Sequence, residues 1–227
     1  MSRPCYQQDG DTCGYWCTRI AVEILLKRKF NKAEEEQFEK YKSMCSKEGV
    51  TLFKSCLQFQ KYFPQEYFPE LEVNFDNVES EVGKFSSDHI IEQLDKPNTV
   101  CLLNMQNMDF KGKTFKECSK GGGHNVCCYG YNNTNFLIQD SNQYKVNRVN
   151  KCEKTLARTL VDTGYNQYFD AANGDPYETL GKVKTLNQSV FHVSEVVAVY
   201  LGKPRKQPQV VRKSRRVPKP KPLKLKL

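Results

Sequence analysis

Between residues 13 and 29 the apolar positions recur with a helical period. Cys13, Cys17, Ile20, Ile24 and Leu25 fall on one face, predicting a helix from about Asp11–Cys13 to Lys29, capped by Asp11 or Thr12. Ala33, Phe38, Tyr41 and Met44, spaced among many charges, predict a second helix over 32–44, and a third follows over 51–63. Gly49 and Pro64 punctuate this block. Residues 64–86, with Pro64, Pro69 and scattered acidic groups, read as irregular.

From Ser87 the pattern changes. A short helix stops at Lys96-Pro97-Asn98, and the Val/Leu/Cys-rich run from Thr99 to Met105 reads as a buried strand. After a Lys/Gly linker and Gly121-Gly122-Gly123, two strands over 124–131 and 136–140 flank Asn132-Asn133-Thr134, a hairpin signal. Residues 143–187 are polar and carry no assignable period, whereas 190–201 returns as a strand that would close a sheet. The predicted class is therefore α+β, with a helical half over about 1–86 and an antiparallel β half over about 87–202.

At 227 residues the chain can bury a sizeable core. Its net charge of +9 reads as a polyanion binder until its position is considered. Residues 203–227 hold eleven Lys or Arg and no acid, leaving 24 basic against 26 acidic groups in residues 1–202. The body is near neutral, and the Pro/Lys-rich tail is expected to stay disordered for lack of apolar surface to bury. No run of about 18 apolar residues exists, and Glu23 interrupts Ile20–Leu26, so neither a membrane span nor a signal-peptide core is predicted and a start near Met1 is expected.

The ten cysteines show no paired framework, which predicts reduced thiols in an intracellular protein, of cytoplasm, nucleus or a virion. Cys13 and Cys17 lie four apart, but no second closely spaced Cys/His pair follows at finger-like distance, so no metal site and no cofactor are expected.

Among the cysteines, Cys13 stands out. A thiol attacks as thiolate, and a helix N-terminus beside a histidine lowers its pKa. Cys13 sits at a predicted helix start, Gly14 leaves the sulfur accessible, and Gln7, six residues earlier, can aim an amide at a developing oxyanion beside the Cys13 N–H. Cys17 is read as a packed small hydrophobe. Of the three histidines, His89 lies in a helix and His192 within a late strand, whereas His124 opens a strand behind three glycines and is the expected base. A histidine base needs an orienting partner, and Asp140 ends the second hairpin strand. A three-residue loop pairs Tyr131 with Asn135 and sets Val126 opposite Asp140, a same-face diagonal neighbour of His124. A two-residue loop would send Asp140 to the other face, so the reading requires an odd loop or a bulge. Asn142, opposite His124 in that register, is the reserve third member.

Taken together, Gln7-x5-Cys13-Gly14, Val100-Cys101-Leu102-Leu103, Gly123-His124-Asn125-Val126, Tyr129-Gly130-Tyr131 and Ile138-Gln139-Asp140-Ser141-Asn142 resemble the papain-like cysteine peptidases, in their order of Cys, His and carboxylate or amide. The pattern is most similar to members with Asp as third residue, such as bacteriocin-processing peptidases. The Gln-to-Cys-Gly stretch is also similar to SUMO-specific and adenoviral peptidases. The chain departs from papain's own signature in carrying Gly14 after the nucleophile, with Trp16 two positions on.

The resemblance implies a papain-like fold and a cysteine protease or isopeptidase acting on a peptide or protein, including a ubiquitin-like one. The same residues would serve an acyltransferase. A different reading makes the body a scaffold and the tail the working part, binding nucleic acid or another polyanion or serving as a nuclear address through Arg212-Lys213-Ser214-Arg215-Arg216.

Overall fold

The computed structural model describes residues 3–7, 12–45, 51–80, 85–111, 114–117, 123–146, 149–162, 168–170 and 190–202. The expectations for the tail, 203–227, lie outside these residues.

The helical block follows its sequence pattern: α1 (Cys13–Leu26), α2 (Lys32–Cys45) and α3 (Leu52–Tyr62). Thr51 caps α3, its side chain accepting from the Lys54 N–H. For α1 the one-sided reading is too weak. All of Cys13–Glu23 is buried, Arg19 and Glu23 included, so this helix is enclosed on every side. Its two buried charges are paired: Arg19 Nε donates to Glu23 Oε1 at 3.0 Å, and Arg19 also binds Glu35 and lies 4.2 Å above the Tyr6 ring. Breaking such a pair would strand a charge in the core.

Four further helical and strand elements follow: β1 (Val73–Asn77), α4 (Ser87–Leu94), β2 (Thr99–Lys111) and β3 (Thr114–Glu117). The chain then runs through β4 (Gly123–Tyr131), β5 (Asn135–Val146), β6 (Val149–Ala157), α5 (Arg158–Asp162), β7 (Tyr168–Asp170) and β8 (Val190–Leu201). The strands form one antiparallel sheet in the order β1-β8-β2-β4-β5-β6-β7, with β3 against β2. The fold is thus α+β, as expected. Three details differ. The stretch read as irregular supplies β1, the polar stretch supplies β6 and β7, and β8 lies inside the sheet between β1 and β2.

Period-two alternation divides the core. Val100 and Leu102 of β2, Cys127 of β4 and Val197 and Val199 of β8 pack with α1–α3, whereas Cys101, Leu103, Met105, Val126, Phe136 and Ile138 pack with Ile90 of α4 and Val161 of α5. Helices therefore cover both faces.

One cysteine expectation is corrected. Cys5 and Cys152 form a disulfide that joins the N-terminal segment to β6, 147 residues apart in sequence. The pair was illegible because nothing local links an extended terminus to an unassigned strand. The segment is held further by Gln139 Nε2 donating to the Pro4 carbonyl at 2.7 Å, by Arg3–Glu153, and by Tyr6 stacked on Trp16.

Candidate active site

Cys13 is the first residue of α1, at the end where backbone N–H groups lack intrahelical acceptors. Thr12 occupies the cap position without a side-chain cap bond, its carbonyl accepting from Tyr15 and Trp16. The helix dipole therefore bears on Cys13 with no capping oxygen in between.

β4 brings His124 to this helix end. The imidazole hydrogen-bonds the Cys13 thiol on one side and Asp140 on the other, with Nε2 2.7 Å from Oδ1. Since Nε2 is engaged by Asp140, Nδ1 is left for the sulfur. Asp140 is 1% exposed and uses its second oxygen as well: Lys154 Nζ of β6 donates to Oδ2 at 2.6 Å, itself buried.

The hairpin reaches this arrangement by another route than the loop alone. The turn pairs Tyr131 with Phe136, not Asn135, a register that would put Asp140 on the wrong face. A shift between Cys128 and Gly130, at Tyr129, then adds one residue to β4, so Cys127 faces Gln139 as the three-residue loop would have had it. The bulge repairs the parity. Asn142 continues the β5 backbone, but its side chain lies outside the described residues.

The charges are mutually reinforcing. Burial acts to raise the Cys13 thiol, but His124 and Asn125 outweigh it and hold the thiol below its ordinary value. Burial acts to lower His124, but the bonds to Asp140 and Cys13 push it up to about 9. Burial would raise the Asp140 carboxyl, yet His124 and Lys154 keep it below the usual carboxylate range. At neutral pH the site is therefore a thiolate–imidazolium–carboxylate–ammonium chain of alternating sign. In contrast, burial raises the thiols of Cys17, Cys56, Cys101, Cys127 and Cys128, which fits Cys17 as a packed hydrophobe.

The other sequence-derived candidates separate from this cluster. Gln7 is exposed in the stapled segment, and among the described residues no hydrogen bond joins it to Cys13. His89 caps α4, its Nδ1 accepting from the Ser86 N–H at 3.0 Å. His192 has its backbone in β8, opposite Gln106, and its side chain lies outside the described residues. Two neighbours of the site escaped the sequence reading. Lys154 looks like any solvated strand lysine until β6 is placed. Asn125, whose Nδ2 lies 3.3 Å from Cys13 Sγ, sat beside the expected base, and its polar side chain in an otherwise apolar strand start was the available signal.

A family model described as Peptidase_C39 like family matches residues 2–172, the span that holds Cys13, His124, Asp140 and Lys154. No curated protein matches the chain.

Proposed function

Because the chain belongs to the Peptidase_C39-like family, which points to a cysteine peptidase, we propose that it hydrolyses peptide or isopeptide bonds through Cys13, with His124 as base and acid and Asp140 as orienter. The supporting observation is the thiol–imidazole–carboxylate chain, in which the sulfur is pulled toward thiolate and the imidazole toward imidazolium. The thiolate adds to the carbonyl carbon, and the carbonyl π electrons move onto oxygen. The Cys13 N–H at the helix end and the Gln7 amide are the proposed donors to that oxyanion. As the tetrahedral adduct collapses, the C–N bond breaks and imidazolium gives its proton to the leaving amine. Neutral His124 then takes a proton from water, which displaces the thiolate from the thioester.

Asp140 keeps Nε2–H fixed and balances the imidazolium, while Lys154 keeps Asp140 ionised in a buried site. A protein or ubiquitin-like substrate is proposed for the acyl donor. Labelling with an electrophilic peptide or ubiquitin-like probe, followed by peptide mapping, should place the adduct on Cys13, and Cys13→Ala should abolish turnover with the fold intact. Equal modification of Cys17 would remove the assignment. Products with added amine acceptors decide between water and amine as the second substrate.

A further inference from the structure

Resting on the reading of Cys13 as nucleophile, we propose that Asn125 is a second activating group of that cysteine, a neutral amide that donates to the thiolate and is aimed by a side-chain relay through Asn104 and Ser194.

The relay crosses three neighbouring strands. Asn125 Nδ2 of β4 lies 3.3 Å from Cys13 Sγ. Asn125 Oδ1 accepts from Asn104 Nδ2 of β2 at 2.8 Å, and Asn104 Oδ1 accepts from Ser194 Oγ of β8 at 2.6 Å. Asn104 and Asn125 are cross-strand partners, so the sheet register alone holds the two amides side by side. The serine arrives by an irregularity: Asn104 pairs with Glu195 and Met105 with Val193, so Ser194 is the extra residue of a bulge. Glu195, next along, is turned to the first N–H groups of α3, accepting from Leu52 at 3.0 Å and Phe53 at 2.9 Å. Its charge is thereby neutralised by a helix end.

The direction of the relay is set by chemistry. Reversed, it would aim Asn125 Oδ1 at the sulfur, lone pair against anion. As built, the Asn125 carbonyl is occupied and its NH2 is left for sulfur. A neutral thiol is a weak acceptor, whereas a thiolate accepts a charge-assisted bond. Asn125 is only 9% exposed, so no bulk water substitutes as partner for that NH2, and burying the amide favours the charged form of Cys13. Gly14 makes room for it: a Cβ there would stand 3.4 Å from Asn125 Nδ2, so a larger side chain would press on the amide.

The test is the pH dependence of iodoacetamide alkylation of Cys13, followed by mass spectrometry of its peptide in the full chain, for wild type, Asn125→Ala and Asn125→Asp. The aspartate is isosteric and keeps the packing while replacing the donor with an anion. Loss of one charge-assisted bond should raise the midpoint of thiolate formation by about one pH unit in Asn125→Ala, and by more in Asn125→Asp. Asn104→Ala, which frees the amide to rotate, should move it the same way by less. A midpoint within about 0.2 unit of wild type in the folded Asn125→Asp protein overturns the proposal, since a merely structural amide would change stability and leave the titration alone. If wild-type Cys13 titrates like an ordinary thiol, the nucleophile reading falls, and this inference falls with it. If wild type is reactive and the variants match it, only this inference falls.

Discussion

Asp140→Asn is the substitution that best separates an orienting carboxylate from an orienting amide. An amide oxygen can accept from His124 Nε2 as Asp140 Oδ1 does at 2.7 Å, but the amide NH2 then meets Lys154 Nζ, which now stands 2.6 Å from Oδ2. Donor faces donor, and a buried ammonium loses its counter-ion. The cost of stranding such a charge is about 3–5 kcal/mol, a large share of a stability of about 5–15 kcal/mol. Lys154→Met alone removes one charge-assisted bond while Asp140 keeps His124, which should cost about 1.5–3 kcal/mol. In the double variant the amide keeps the imidazole and the methionine fills the lysine's stem, so the conflict is gone. The double variant should therefore be more stable than Asp140→Asn by about 2 kcal/mol, a strong non-additivity for touching residues. Urea unfolding of the four proteins at one pH, with the m-value checked for constancy, measures this cycle. If the two single costs simply add within about 0.5 kcal/mol, Lys154 does not depend on Asp140 for its charge balance and the alternating chain described above is wrong.

Alkylation of Cys13 should stay level across neutral pH, and His124→Ala should slow it at pH 7 by at least about tenfold, because the imidazolium that holds the thiol down is gone. His124 is raised from 6.5 to about 9, so its contribution to stability is complete below 6.5 and is lost as pH rises through about 9; the lowered Asp140 contributes above the ordinary carboxylate range and is lost in acid. Urea midpoints across this pH range should be flat in the middle and fall at both ends. Replacing both Cys5 and Cys152 by Ala opens a loop of 147 residues, and the loop-closure rule puts the loss at about 5 kcal/mol, to be read from unfolding with and without reductant. Equal stability of the oxidised and reduced protein would argue against the bridge. Deleting residues 203–227 removes eleven cations, so heparin or DNA binding should weaken and lose its steep salt dependence while Cys13 alkylation is unchanged. Unaltered binding would point to a basic groove in the body.

What was legible in the sequence has a local cause. α1 to α4, β2 and β8 carry either a helical period, a cap or a β-branched run within themselves, and β8 agrees in both limits, 190–201. His124 and Asp140 were placed together by parity along one hairpin, an argument that needs only two strands and a turn. The bulge at Tyr129 was not readable because a bulge has no residue type of its own; only the demand for an odd offset anticipated it. β6 was missed because Asn150, Lys151, Glu153 and Lys154 break any apolar alternation, and the burial of Lys154 is intelligible only once Asp140 stands opposite it. β1 was missed because its pairing energy comes from β8, more than a hundred residues later. Gln7 was chosen by spacing from Cys13, and spacing along an irregular loop fixes no direction; the disulfide at Cys5, not the sequence interval, decides where that segment runs.

The strand order has a consequence for the timing of folding. β8, the last described element, lies between β1 and β2 and supplies Val193, Val196, Val197 and Val199 to the cores on both faces. While a ribosome is still making residues 78–189, β1 has no neighbour, and the sheet floor beneath α1–α3 ends at β2. Val73 must wait for Leu201, and contacts of that sequence separation make folding slow. The nascent chain thus carries an open β2 edge beside buried-type residues until synthesis is nearly done, the circumstance in which strand edges pair with the wrong chain.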